Sequence, residues 1–308
     1  MSTFTQTTAA RIFELLEKTG IPTAFITQLS ETEMEKKNCK LIPLEVVARR
    51  YAVENFIRQK SEEDELPYRF HSLRIEFFSK PTDTIPLACE ESKISLPENI
   101  EMNQIKELTR KSFLVLEGAC NNLGYRLIDF KFEFGITDDG TLVVADVLDN
   151  GTWSLQTDAP FNIPEQTLVL WRGSESDKLP DVPILAGLKV EMPVISGHKK
   201  TVLVTKELER LHTLYPEGGV IIALVGMSNG LGPILSARTE WPLISVCTTA
   251  NEFPEDVWSA LRMPSNVPNA TMLDAKNAVL CALNILGQKN PAIYAHRRLA
   301  IERLDEAV

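Results

Sequence analysis

The sequence predicts an α/β protein built in two parts, and three observations carry that reading. Beyond residue 167, short apolar runs (TLVLWRG, KVEMPVIS, VIIALVG, PLISVC) alternate with helical stretches. That alternation is the pattern of a parallel sheet covered by helices. In the first half, the runs YRLIDFKFEFGI and TLVVADVL flank Asp138-Asp139-Gly140, a turn that folds them into an antiparallel hairpin. Between the halves, residues 156–166 (QTDAPFNIPEQ) hold two prolines and few core residues, the composition of a linker. The expected division is 1–156, a linker at 157–166, and 167–308.

The elements follow in order. Ile12, Phe13, Leu15 and Leu16 recur at helical spacing within residues 8–19, and Gly20 stops that helix. Residues 21–26 read as a strand entry, 41–56 begin as a strand with two arginines, and KSEEDELP (60–67) is a charged, solvated excursion. Residues 73–78 alternate as a strand, and 101–123 form the longest helix of the first half. In the second half, helices are expected at 201–214 and 274–287. Between Asp177 and Ser196, Pro180 and Pro183 predict a short or distorted helix, since an interior proline costs about 3 kcal/mol.

Composition narrows the function. The 308 residues suffice for a sizeable core. A net charge of -10 disfavours nucleic acid or an anionic membrane as the main partner, because both reward a basic face. It leaves room for a phosphorylated small molecule held in a local pocket. Five scattered cysteines without a CxxC pair argue against a disulfide framework or zinc site and for a reducing compartment. The first twenty residues read as an amphipathic helix rather than a signal peptide, no run is long enough to span a membrane, and the protein is expected in the cytoplasm.

Ligands of open α/β sheets bind beyond the carboxyl ends of the strands. Three polar clusters stand there: Gly173-Ser174-Glu175-Ser176-Asp177, Ser196-Gly197-His198-Lys199, and Gly226-Met227-Ser228-Asn229-Gly230-Leu231-Gly232-Pro233. Glycines let backbone amides approach phosphate oxygens, serines add donors, an aspartate can hold a ribose hydroxyl, and a histidine can move a proton near neutral pH. Each cluster alone also reads as an ordinary turn; their order after successive strands is the stronger signal.

In the first half, Glu133 and Asp146 lie on the two hairpin strands, where they could hold a magnesium ion or form a water-facing acidic pair. Arg49 and Arg50 could grip phosphate or carboxylate, or sit on the surface of their strand.

These segments carry a family resemblance. GSESD is similar to the GSxSD loop of AIR carboxylases, SGHK to their SAHK segment, GMSNGLGP to GRSNGLGP of the animal-type members, and DVWSALRMPSN to DVWSSLRLPSG. IPLEVVARR, DFKFEFGI and VVADVLDNGTWSL resemble IPLEVVVRN, DFKLEFG and VLADVIDNDSWRL of SAICAR synthetases. The chain thus resembles the animal-type bifunctional family of de novo purine synthesis. The resemblance implies an ATP-grasp-like α+β synthetase lobe followed by a flavodoxin-like three-layer α/β sandwich with a parallel sheet.

It also implies two activities. The carboxylase half adds carbon dioxide to aminoimidazole ribonucleotide (AIR), giving carboxyaminoimidazole ribonucleotide (CAIR), without ATP, biotin or another cofactor. The synthetase half joins CAIR to aspartate with ATP and Mg2+. By match, His198 moves the proton at the imidazole carbon. Gly173, Ser174, Ser176, Asp177, Ser196, Lys199 and Gly226 surround the ribonucleotide, and Ser228, Asn229 and Gly230 line the carbon dioxide side. Glu45 and Arg49 contact CAIR, Lys131 meets nucleotide or substrate, and Glu133 and Asp146 hold the metal. The implied assembly is a homo-oligomer, an octamer in the family.

The chain departs from the pattern at named positions. Gly197 replaces Ala, Met227 replaces the Arg of GRSNG, Glu54-Asn55 replace a phosphate-holding Gly-Ser, and Ser154 replaces the Arg of SWRL. The GKTKxVY nucleotide loop finds no match. The expectation is an N-terminally truncated, diverged member with a weakened synthetase half. A non-catalytic paralogue that co-assembles with a full-length enzyme, or binds a nucleotide-like ligand, stays open as a second reading.

Overall fold

The computed structural model describes residues 3–51, 69–79, 87–147 and 162–306, with side chains at 3–8, 146–147 and 305–306 excepted. The 60–67 excursion, Glu54, Asn55 and Ser154 lie outside these residues. The chain forms two compact units, 1–163 with 298–308, and 164–297.

In the first unit, α1 (Thr3–Lys18) buries Ile12, Phe13, Leu15 and Leu16, the four positions its periodicity singled out. A small antiparallel pair follows, β1 (Phe25–Gln28) and β2 (Met34–Lys36). The main sheet contains β3 (Cys39–Tyr51), β4 (Arg69–Ser79), β5 (Leu87–Cys89), β6 (Asp129–Thr137) and β7 (Leu142–Val147). It is antiparallel, in the order β5-β4-β3-β6-β7. The β6–β7 hairpin turns through Asp138-Asp139-Gly140, with the Thr141 amide donating to Asp139 Oδ1 at 3.1 Å. Helix α2 (Met102–Asn122) packs on β3 and β6.

Side-chain alternation gives this sheet two unlike faces. Val46 and Ala48 of β3 pair with Phe132 and Phe130 of β6, and all four are buried. The same parity carries Arg50 to Glu117 of α2, so this is the helix-covered face. The other parity carries Glu45, Arg49, Asp129, Lys131 and Glu133.

The second unit contains β8 (Gln166–Arg172), β9 (Leu188–Glu191), β10 (Gly219–Val225), β11 (Leu243–Cys247) and β12 (Ala270–Met272). All pair in parallel, in the order β12-β11-β10-β8-β9. In chain order this is 2-1-3-4-5, the flavodoxin-like arrangement. One face buries Val169, Trp171, Ile221 and Ala223 against α3 (Thr201–Leu214) and α4 (Leu231–Ser236). The opposite face buries Leu168, Leu170, Ile222 and Val246 against α6 (Ala275–Leu286), which follows the short α5 (Trp258–Leu261). Helix α7 (Pro291–Glu306) starts in this unit and ends in the first.

One expectation is corrected. No helix of any length forms between β8 and β9; the connection runs as turns and extended chain. Pro180 and Pro183 each lack an N–H and push the preceding residue out of the helical region. Val182 and Leu185 still pack on the sheet, so the layer is kept by extended chain. β12 was not expected; three residues are too few for periodicity to register.

Candidate functional sites

The three clusters of the second unit meet at the carboxyl ends of β8 and β10, where the strand order reverses. Asp177 lies between them. A Cβ built on Gly173 would stand 3.8 Å from its Oδ2, and one on Gly226 would stand 4.0 Å from its Oδ1. Its carboxylate also accepts the Ser174 amide at 2.9 Å, and the Ser174 and Ser176 hydroxyls are 2.9 Å apart. The loop is thereby closed on itself with its hydroxyls exposed.

His198 is exposed on a turn in which the Lys199 amide donates to Ser196 Oγ at 3.3 Å. Its ring lies against Gly230: any Cβ there would overlap the imidazole. Gly197 is equally constrained, since its Cβ would come within 2.7 Å of Leu231 Cα and 2.8 Å of its amide nitrogen. The His turn and the Ser-Asn-Gly turn are therefore packed backbone to backbone.

Asn229 is placed differently from its sequence reading. Its side chain is buried rather than facing the crevice. Oδ1 accepts the Gly232 amide at 2.7 Å, and Nδ2 donates to Ser245 Oγ at 2.9 Å. Ser245 donates onward to Asn269 at 2.8 Å, and the Asn229 amide donates to Ser259 Oγ at 2.8 Å. Asn229 thus pins the turn, while Ser228, with φ at 57°, and Gly230 present it. Ser259 lies in the DVWSALRMPSN segment and Ser245 in the PLISVC run, but neither reading singled these serines out, and Asn269 stands outside every quoted segment.

In the first unit, the polar sheet face joins the expected residues. Lys131 Nζ lies 3.2 Å from Glu45 Oε2. Arg49 donates from Nε to Glu76 at 2.8 Å and from its terminal nitrogen to Asp129. Arg74 adds a 3.5 Å contact to Glu76. Burial, and then the Glu76 charge, hold the Asp129 carboxyl above the usual carboxylate range against the pull of Arg49. Glu133 is the register partner of Glu45 on β3 and of Asp146 on β7. Three carboxyl-bearing residues therefore stand abreast on three strands, hard oxygen donors of the kind Mg2+ takes. Among the described side chains, no group of three or more metal-ligating residues is placed to hold an ion; the Asp146 side chain lies outside them.

Arg50 departs from its ligand-gripping reading. It is fully buried on the helix-covered face, donating to Glu117 at 2.7 Å and to Glu302 at 2.6 Å. Sequence adjacency with Arg49 concealed that the two point to opposite faces.

Comparison with known proteins matches both halves. A SAICAR synthetase family model covers residues 2–164, and an AIR carboxylase model covers 175–306. The chain belongs to the bifunctional SAICAR synthetase and AIR carboxylase family of purine biosynthesis. It is 30% identical to the probable multifunctional protein ADE2 of Caenorhabditis elegans, over 93% of this chain and 80% of that protein. It is 29% identical to the bifunctional phosphoribosylaminoimidazole carboxylase/phosphoribosylaminoimidazole succinocarboxamide synthetase of Drosophila melanogaster, over 95% and 80%. The phosphoribosylaminoimidazole-succinocarboxamide synthase of Chloroflexus aurantiacus is 35% identical over 52% of this chain and 64% of its own length. The bifunctional relatives combine a lyase and a ligase, which is the pairing the motifs predicted. No described helix is long and apolar enough to cross a membrane.

Proposed function

We propose that the chain carboxylates AIR to CAIR at the strand ends of the second unit, with His198 as the proton-transfer residue. The supporting observation is the convergence of the three loops: Asp177 between Gly173 and Gly226, and the His198 ring on Gly230. Ser174 and Ser176 take the ribose phosphate, with Asp177 on a ribose hydroxyl. Ser196 and Lys199 shape the histidine turn. Ser228 and Gly230 border the carbon dioxide side, and Asn229 holds their turn in place. Carbon dioxide bonds to the nucleophilic imidazole carbon, and the proton on that carbon leaves to His198. This half uses no cofactor.

The synthetase half acts on CAIR, aspartate and ATP, with Glu45 and Arg49 toward CAIR and Lys131 toward nucleotide or substrate. Glu133 and Asp146 would hold Mg2+, which supplies charge neutralisation at the phosphates when bound. This half is the weaker one. Arg49 is already matched by Glu76 and Asp129, and Glu54 and Ser154 stand where the family has phosphate-holding Gly-Ser and Arg. Phosphoryl transfer depends on such donors.

The protein works in the cytoplasm, in keeping with five free thiols. It forms a homo-oligomer, as the exposed Met227, Trp258 and Leu261 of the second unit favour.

The test is CAIR decarboxylation by the purified chain, followed by ultraviolet absorbance. Activity abolished by His198→Ala supports the carboxylase. A folded wild-type chain with no activity overturns it and favours the co-assembling paralogue, which mixing with a full-length enzyme would then reveal.

A further inference from the structure

Arg172 is the last residue of β8, immediately before the Ser174–Asp177 loop. Its backbone ties that loop to the approach to His198. The Arg172 amide donates to Pro193 O at 2.9 Å, and its carbonyl accepts from the Ile195 amide at 3.0 Å. One terminal nitrogen reaches the carbonyls of Glu175 and Asp177, at 3.3 and 3.4 Å, both long for hydrogen bonds. Nε is buried and has no partner.

A buried, unpartnered donor on a charged group is costly, and a guanidinium offers its donors in a fork suited to phosphate. The loop above carries two acids, Glu175 and Asp177, so an anionic ligand needs a nearby cation. Position 227, where the family resemblance expects an arginine, holds an exposed methionine.

We infer that Arg172 is the phosphate-recognition residue of this chain: it positions the Ser174–Asp177 loop and completes its hydrogen bonding on the phosphate monoester of the ribonucleotide. This rests on the carboxylase reading for its substrate, but its ligand chemistry can be tested separately.

The experiment uses the full chain, Arg172→Met and Arg172→Lys. It reads CAIR decarboxylation, and thermal stabilisation by ribose 5-phosphate. Loss of a charge-assisted bond predicts a KM about 10- to 100-fold higher in Arg172→Met, with a much smaller drop in kcat. Stabilisation by ribose 5-phosphate should disappear in that variant and partly return in Arg172→Lys. Unchanged KM and undiminished stabilisation in Arg172→Met would overturn the inference. So would a lower melting temperature with kcat reduced and KM unaltered, which marks a purely structural arginine. A wild type that binds ribose 5-phosphate through Arg172 yet leaves CAIR intact would defeat the carboxylase reading and keep the phosphate site.

Discussion

At the residue scale, the geometry of the carboxylase site turns on absent side chains as much as on present ones. Gly230 lets the His198 ring lie against the chain, and no other residue leaves that space. Gly230→Ala must displace the imidazole. The displacement is easy for an exposed ring, so the fold should tolerate it while the chemistry does not. Decarboxylation is expected to fall about 100-fold, the usual penalty for misplacing a catalytic group by an ångström. The unfolding midpoint should move little. Activity retained near the wild-type level would show that His198 works from another position. Gly197, where the SAHK resemblance expects Ala, follows from the same close packing. In this chain the Leu231 backbone occupies the space a methyl needs, so the departure is accommodated by local structure.

At the element scale, one strand carries two kinds of chemistry. β3 sends Val46, Ala48 and Arg50 toward α2, and Glu45 and Arg49 toward the polar face. Asp129 on β6 belongs to the polar face and titrates above its usual range because of burial and Glu76. A carboxyl whose folded pKa is raised favours the folded state below its unfolded value, and that contribution fades as pH rises through the folded value. Stability of the first unit should therefore decline with rising pH over that window. Asp129→Asn should flatten the slope, read from urea midpoints at stepped pH. An identical slope in the variant would assign the dependence to another group. The helical elements are more self-contained. α6 is capped by Asp274, whose side chain accepts the Asn277 amide at 2.7 Å, a start signal readable without any tertiary partner.

At the scale of the whole molecule, the chain leaves the first unit, builds the second, and returns to the first at Arg298. The return has an energetic anchor. Glu302 is 2% exposed at its side chain and accepts from Arg50, Arg298 and the Leu73 amide. Burial opposes the Arg50 charge, and Glu117 and Glu302 outweigh it, so the guanidinium stays protonated. Removing Glu302 takes a buried acceptor from Arg50, Arg298 and the Leu73 amide at once and leaves Glu117 as the remaining partner of Arg50. Glu302→Ala is expected to destabilise the first unit by about 3–5 kcal/mol. Hydrogen exchange at increasing urea should locate the loss in β3 and α2 peptides. Unaltered protection there would mean that Glu117 alone satisfies Arg50.

Much of this was legible before any coordinates. Apolar spacing located α1, α2, α3 and α6 to within a few residues of their ends, except for the first five of α1. Strand–helix alternation yielded the parallel sheet, and motif order identified the family and the residues to examine. These features are local, written in periodicities of 3.6 and 2 and in turn chemistry. What only the tertiary structure decided depends on partners distant in sequence. Adjacent arginines separate because successive side chains of β3 point to opposite faces, and α2 packs on the one that carries Arg50. Asn229 turns inward because Ser245 and Gly232 meet it there. Arg172 comes into view through the loop folded over it. The last turns of α7 serve the first unit because Arg50 lies buried 252 positions earlier and needs a second carboxylate. A sequence states which groups are available, and packing decides which of them face each other and which are left to face a ligand.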